Sequence, residues 1–146
     1  MRWFEDIVVG ERAAFGRREV DRDEVIAFAT RFDPQPFHLN EAAAAETHFG
    51  RLAASGWHTC SLMMAMYVDH LRDHPQAAVG GTGVDTLRWV KPVYPGDTLR
   101  CESEVVETSR NPERPFGKAR VQITVLNQHD EVVLSLIAIG LVRCRD

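Results

Sequence analysis

The sequence has few of the features that would assign it to a specialised class of protein. Its 146 residues include only three cysteines, Cys60, Cys101 and Cys144, which lie far apart and form no Cys-x-x-Cys pair. This spacing indicates neither a disulfide framework nor a zinc knuckle, and it fits a reducing cytoplasm. The chain must therefore fold by burying a core. Its length suffices, because a domain of this size buries about 70% of the surface that its unfolded chain exposes.

Long apolar runs and clusters of one charge are scarce as well. No stretch of about 18 apolar residues occurs, and Glu5 and Asp6 interrupt the segment where a secretory signal would be apolar. The 17 Lys+Arg and 21 Asp+Glu give a net charge of −4 without a basic cluster, whereas phosphate binding draws on clustered Lys and Arg. We therefore expect one cytoplasmic domain over residues 1–146, with no membrane span and no nucleic acid as partner.

The hydrophobic pattern is mostly helical up to about Thr82 and mostly that of strands after it, an order typical of α+β folds. Asp21 and Glu24 are spaced as a capping box, in which Asp21 accepts a hydrogen bond from the backbone and Glu24 reaches back. The spacing behind them predicts an amphipathic helix. Its predicted buried stripe is Val25, Phe28, Ala29 and Phe32.

Two further helices are predicted. Asn40 can cap a short one over residues 41–47. A longer one begins at Ser55 and Gly56 and is the most buried of the three. Its predicted core face comprises Cys60, Met63, Met64, Tyr67 and Leu71.

Four strands are predicted after the long helix, over residues 84–90, 98–108, 119–127 and 131–142. The second alternates apolar and charged residues, which indicates one wet face. The fourth is apolar on both faces and should lie in mid-sheet or against a partner. Residues 80–83 are expected to be a flexible lead into the first strand. The economical packing is an antiparallel sheet wrapped around one long central helix.

The richest set of polar residues lies between the first two helices, in a loop stiffened by two prolines. It comprises Asp33, Gln35, His38 and Asn40. A carboxylate and an imidazole held at a fixed separation can act as general acid and base. The alternative is that Asp33 and Asn40 cap helices and that His38 is a turn residue, and the spacing alone leaves both interpretations open.

Gly56 opens the long helix after a run of small residues. A helix N-terminus carries unpaired N–H groups and partial positive charge, so this glycine could bind an oxyanion; alternatively, it only allows tight packing. His70 and His74 are spaced as metal ligands, but cationic residues also suit a helix C-terminus. We expect no metal. The glycines at 80–83 precede no helix, which excludes a dinucleotide fingerprint, and no cofactor is expected.

Several segments together resemble the MaoC-like dehydratases, which include the (R)-specific enoyl-CoA hydratases of the hot-dog fold. They are Phe28-Ala29, residues 32–38, Phe49-Gly50, Ala54-Ser55-Gly56 and residues 88–99, and the resemblance extends over roughly residues 10 to 143. It implies a homodimer or a dimer of dimers, an acyl-CoA substrate and a role in fatty acid metabolism. The reaction it implies is reversible hydration of a trans-2-enoyl thioester.

The resemblance also implies roles for individual residues. Asp33 and His38 match the catalytic pair, and Gly56 matches the glycine whose N–H binds the thioester oxygen. We expect substrate contacts at three further residues, Ser55, Gln35 and Phe37. The chain departs from many members at Gln35, where they have Asn, and at Ser55, where they have His. A serine that can bond the aspartate is replaced by Met64, so the orientation of Asp33 must come from elsewhere.

Two other functions are compatible with the same residues. One is a thioesterase, in which a carboxylate and water attack the carbonyl instead of the alkene. The other is an acyl-CoA-binding module without catalysis, or one subunit of a larger dehydratase. Retention of both Asp33 and His38 favours hydration over either.

Overall fold

The computed structural model describes residues 1–145, and the last residue of the expected domain lies outside the described residues. In chain order the elements are β1 (Arg12–Glu19), α1 (Arg22–Phe32), α2 (Glu41–Ala45), α3 (Gly56–Asp73), β2 (Ala78–Trp89), β3 (Thr98–Arg110), β4 (Phe116–Leu126) and β5 (Val132–Arg143). One five-stranded antiparallel sheet packs against α3, so the predicted α+β class and the sheet around a long central helix are confirmed. No helix within residues 1–145 is both long and apolar enough to cross a bilayer.

The sheet has the strand order β1-β3-β4-β5-β2 and contains one strand that the sequence did not predict. The expectation of a mostly helical pattern up to Thr82 was wrong at β1, which pairs with β3. Its pattern is weak because it is an edge strand in which few side chains are covered. Gly16, at φ +82°, shifts its register near Phe15, and a side chain there would meet Met66.

β5 lies between β4 and β2, so its predicted place in mid-sheet is confirmed. β2 begins at Ala78, and the prediction that residues 80–83 are a flexible lead was wrong. Gly80, Gly81 and Gly83 pair with β5 inside the strand, with register shifts beside them. Glycine obscures a strand pattern because it supplies no side chain to alternate.

The core lies between α3 and the sheet, and it includes Leu62, Met63 and Met66 of α3. The predicted core face of α3 was displaced by part of a turn, since Met64 is 50% exposed. On α1, Val25 and Ala29 are buried as expected, but Phe32 is 62% exposed. The helix ends at Phe32, where the chain turns away before the ring can reach the core.

The helix caps follow the sequence closely. Asp21 accepts a hydrogen bond from the N–H of Glu24 over 2.9 Å, and Asn40 accepts one from the N–H of Ala43 over 3.0 Å. The second half of the expected capping box was wrong, because the Glu24 carboxylate lies 3.0 Å from Nε2 of His58 instead. That contact links the start of α1 to the start of α3.

Candidate active site

The polar residues of the candidate site lie in two short segments: residues 33–38, which follow α1 and end in the 3-10 turn Pro36–His38, and the extended residues 52–55. The N–H of Ala53 donates to the carbonyl of Phe37 over 3.3 Å. The N–H of the next residue donates to the carbonyl of Val93 over 2.8 Å. Residues 52–55 are buried between these two partners. The turn is thus fixed to the chain that leads into α3.

The hydrogen bonds of His38 determine which of its ring nitrogens carries a proton. Nδ1 lies 2.6 Å from the carbonyl oxygen of Ala53. A carbonyl oxygen only accepts, so Nδ1 donates, and in the neutral ring Nε2 is left as an acceptor. The rings of Phe37 and Phe49 pack against the imidazole. His38 is 5% exposed, and its orientation is fixed.

Asp33 is the C-cap residue of α1, and both of its carboxylate oxygens have partners. Oδ1 accepts a hydrogen bond from the Gln35 amide over 2.6 Å, and Oδ2 accepts one from the Ser55 hydroxyl over 2.7 Å. Oδ2 also lies 3.4 Å from Nε2 of His38. One carboxylate and one imidazole therefore present acceptor atoms to the same small space.

The pKa of Asp33 reflects a balance between burial and these partners. Burial raises it, but hydrogen bonds from Ser55 and Gln35 and the nearby charge of His38 when protonated together hold it below the usual value of an aspartate. Donors favour the ionised carboxylate because they bind the charge. Asp33 is consequently an anion at neutral pH.

The N-terminus of α3 begins beside this pair. Ser55 is the N-cap residue, yet its side chain makes no capping hydrogen bond to the helix. Serine at an N-cap ordinarily accepts from the second or third N–H of the helix. No hydrogen-bond partner within residues 1–145 is found for the N–H of Gly56 or of Trp57. The helix tip can therefore donate to an anionic or polarised oxygen.

The absence of a side chain at Gly56 has a direct steric cause. A Cβ atom built there would overlap the indole ring of Trp89. Trp89 ends β2 and also packs edge-on against Trp57, with the ring centroids 5.1 Å apart. Packing of the indole thus accounts for the glycine, as the second interpretation of the sequence proposed. The N–H of Gly56 has no partner in its own helix because it is the first of α3.

A cavity of about 520 Å³ lies between α3 and the sheet. Its lining from α3 begins at Met63, seven residues and about 10 Å along the helix from Gly56. Small residues open the space on the sheet side, among them Gly81, Gly83, Ala119, Ala138 and Gly140. The cavity is mostly apolar, and its charged lining residues are Arg2, Glu11 and Arg12.

The structure brings together four of the residues singled out in the sequence: Asp33, Gln35, His38 and Ser55. Asn40 caps α2 and does not join them. Phe37 packs on His38 and Phe49.

Three histidines have other surroundings. His58, on the first turn of α3, is buried and stacks on Phe28. His70 and His74 stack on each other near the end of α3, and the described residues include no group of three metal-ligating side chains.

Sequence reasoning missed three parts of this arrangement. The Ala53 carbonyl is a backbone group and leaves no signal in side chains. The hydroxyl of Ser55 was predicted to contact substrate. Its position at the start of a helix with no other polar cap was a signal that it has a partner within the protein. The contact of Trp89 with Gly56 joins residues far apart in the chain, and only the fold reveals it.

This chain is similar to proteins of one known family. The family model described as MaoC like domain matches its residues 7–127. A MaoC-like dehydratase from Rhodospirillum rubrum is 38% identical, with a TM-score of 0.88 over 99% of this chain and 98% of that one. An R-hydratase from Pseudomonas aeruginosa in the unliganded form is 27% identical, with a TM-score of 0.73 over 97% of this chain and 85% of that one. The predicted hot-dog fold is thereby confirmed.

Several curated relatives are named for a hydratase or dehydratase activity. The 3-hydroxybutyryl-CoA dehydratase of Methylorubrum extorquens is 34% identical over 133 residues, which are 90% of this chain and 78% of that protein.

Proposed function

The chain belongs to the MaoC-like dehydratase family, and from that premise we propose that it is a hydro-lyase that reversibly adds water to a trans-2-enoyl-CoA thioester. Asp33 and His38 are the catalytic pair in this proposal, and Gly56 supplies a backbone donor. The observation that carries the proposal is the 3.4 Å approach of Asp33 Oδ2 to His38 Nε2, with both atoms available as acceptors.

The pair can hold and activate one water molecule. A water donates one O–H to the Asp33 carboxylate and the other to Nε2 of His38, because each atom has a lone pair and Nδ1 already carries the imidazole proton. As the water oxygen attacks the β-carbon, one proton passes to this pair. Because the Ala53 carbonyl holds Nδ1–H, the imidazolium that forms remains hydrogen-bonded on that side.

The electrons of the alkene move toward the thioester as the C–O bond forms. Negative charge then develops on the carbonyl oxygen, and the free N–H groups at the tip of α3 can stabilise it. The proton held by the pair, or its equivalent, is delivered to the α-carbon. The sum is H and OH added across the double bond, and the enzyme returns to its starting protonation state.

The acyl group has a suitable place along α3. The cavity begins about 10 Å beyond Gly56 and is lined mainly by aliphatic and small residues. We propose that it receives the acyl chain of the substrate, which favours an aliphatic acyl group and a role in fatty acid metabolism.

All three cysteines, Cys60, Cys101 and Cys144, are free thiols, which supports the prediction of a cytoplasmic site of action.

A second copy of the chain is part of the proposal. β2 has a neighbour on one side only, and an open edge strand offers its N–H and C=O groups for pairing. Large apolar side chains are exposed along this edge and on the adjacent part of α3: Trp57, Met64, Val68, Val79, Val84, Trp89 and Val90. Such a patch is typical of a protein interface. We propose a homodimer joined along β2, or a dimer of such dimers.

The test is a spectroscopic assay with crotonyl-CoA and longer 2-enoyl-CoA esters. We expect the absorbance of the conjugated thioester to fall, and the reverse reaction to appear with 3-hydroxyacyl-CoA. Release of free CoA thiol without loss of the alkene would instead indicate a thioesterase. Protection against thermal unfolding with neither reaction would indicate a binding module.

A further inference from the structure

The Ser55 hydroxyl forms its hydrogen bond outside its own helix. An N-cap serine normally accepts a hydrogen bond from its own helix, but the hydroxyl of Ser55 donates to Oδ2 of Asp33, 22 residues away in the chain. Ser55 is fully buried, so its side chain cannot exchange this bond for one with bulk water. The bond is therefore a fixed part of the fold.

The oxygen that Ser55 holds is the one that faces the imidazole. Oδ2 lies 2.7 Å from the hydroxyl and 3.4 Å from Nε2 of His38. The other oxygen, Oδ1, is held by Gln35 in an exposed contact. Rotation of the carboxylate would break the Ser55 bond and turn Oδ2 away from His38. The hydroxyl thus fixes the angle at which the two acceptors meet.

From this geometry we infer that Ser55 is a positioning residue for the proposed hydration. It orients the Asp33 carboxylate against His38 and, by making no side-chain cap on its own helix, keeps the N–H of Trp57 available to the thioester oxygen beside that of Gly56. This role replaces the substrate contact expected from the sequence. It supplies the orientation of Asp33 that Met64 cannot provide. The inference rests on the proposed function.

The expected chemical effect follows from the surroundings of Asp33. His38 is the titratable group that faces it, and its other partners, Ser55 and Gln35, are neutral donors. Removing a donor from a carboxylate weakens its ionised form, so the pKa of Asp33 should rise. Misplacement of a reacting group also slows the chemical step more than it weakens binding.

The experiment compares Ser55→Ala and the near-isosteric Ser55→Cys with Ser55→Thr, which retains the hydroxyl. We expect the Ala and Cys variants to lose about tenfold or more in kcat with KM nearly unchanged. In the pH profile of kcat/KM, the acid limb should move to higher pH. Carboxyl ¹³C NMR should report the same upward shift for Asp33. The Thr variant should recover part of kcat and return the limb toward its original pH.

Asp21→Ala is the matched control, because Asp21 is an N-cap residue whose side chain accepts a hydrogen bond from its own helix. It should lower the unfolding temperature without moving the acid limb. Wild-type kcat and an Asp33 titration unchanged in Ser55→Ala would overturn the inference. A wild-type protein with no hydratase activity would instead refute the proposed function. In that case the ¹³C titration still decides whether Ser55 controls Asp33.

Discussion

The two ends of α3 are built in different ways. At the N-terminal end, short hydrogen bonds fix Asp33, His38 and Ser55, and buried backbone holds the turn that carries them. Along the C-terminal part, small residues leave a cavity of about 520 Å³, and β2 presents an open edge. The polar end is therefore held by hydrogen bonds within one chain, while the apolar end contains a cavity beside an unpaired strand edge.

Under the proposed function, this difference separates the residues that carry out the chemistry from those that select the substrate. Reacting groups must be held closely, because a small misplacement costs a large factor in rate. An apolar cavity can accept a range of groups, because each methylene contributes a similar and non-directional free energy. We therefore expect changes at the N-terminal end to abolish turnover and changes along the cavity to alter which substrate is used.

The largest effect should follow from changes to the proposed catalytic pair. Asp33→Asn removes the charge and keeps the shape, and His38→Ala removes the imidazole that Ala53 orients. We expect each to lower kcat/KM by about a hundredfold to ten-thousandfold, the usual contribution of acid and base catalysis. Steady-state hydration of crotonyl-CoA measures the loss, and circular dichroism checks the fold.

Asn40→Ala is the control for these variants, because Asn40 lies close to His38 in sequence but caps α2. It should retain turnover. If either variant of the pair kept wild-type kcat/KM, the N-terminal end of α3 would not be the site of chemistry.

A smaller effect is expected at the helix tip. Gly56→Ala places a Cβ against the Trp89 indole, which forces the ring or the tip to move. We expect kcat to fall by about tenfold to a hundredfold, together with a loss of thermal stability. The double variant Gly56→Ala/Trp89→Ala removes the clash and should recover stability relative to Gly56→Ala. Thermal unfolding and kinetics on all four proteins form the cycle. Additive effects in it would mean that the indole is not the reason for the glycine.

The cavity offers a test of selectivity. Ala119 is buried and lines the cavity on β4, so Ala119→Leu should fill space that the acyl chain would occupy. We expect kcat/KM for a long 2-enoyl-CoA to fall about tenfold relative to that for crotonyl-CoA. Ala42→Leu, on the exposed face of α2, is the control. Equal losses for short and long substrates would place the acyl chain elsewhere.

The smallest effect concerns association. Val79 is exposed on the edge strand β2, and Val106 is exposed on β3, which has neighbours on both sides. Val79→Lys places a charge on the proposed interface and should raise the dimer dissociation constant about tenfold or more. Val106→Lys should leave it unchanged. Sedimentation velocity over a concentration series measures both, and a monomeric wild-type protein at all concentrations would refute the proposed dimer.

The elements that the sequence predicted well are those with a strong local signal. α3 and the caps at Asp21 and Asn40 follow from periodicity and from hydrogen-bonding residues at helix starts. β1 was missed because an edge strand with few covered positions gives no clear alternation. β2 was predicted to begin six residues too late because its glycines look like a linker, although pairing with β5 keeps them extended.

The candidate site shows the same division. Asp33, Gln35 and His38 lie in one stiff loop, so their proximity could be predicted from the two prolines. The partners from distant segments could not, because Ala53 contributes only a carbonyl and Trp89 reaches Gly56 from the end of another element. Ser55 was noticed for its position, but its bond to Asp33 depends on how α1 and α3 meet.

Isotope labelling tests the central claim most directly. The protein is incubated with crotonyl-CoA in H₂¹⁸O, and the products are analysed by mass spectrometry. If Asp33 and His38 direct water to the alkene, the label appears at the β-carbon of intact 3-hydroxyacyl-CoA, and Asp33→Asn abolishes it. Label in a free carboxylate, with the alkene retained, would contradict hydration and place the attack at the thioester carbonyl.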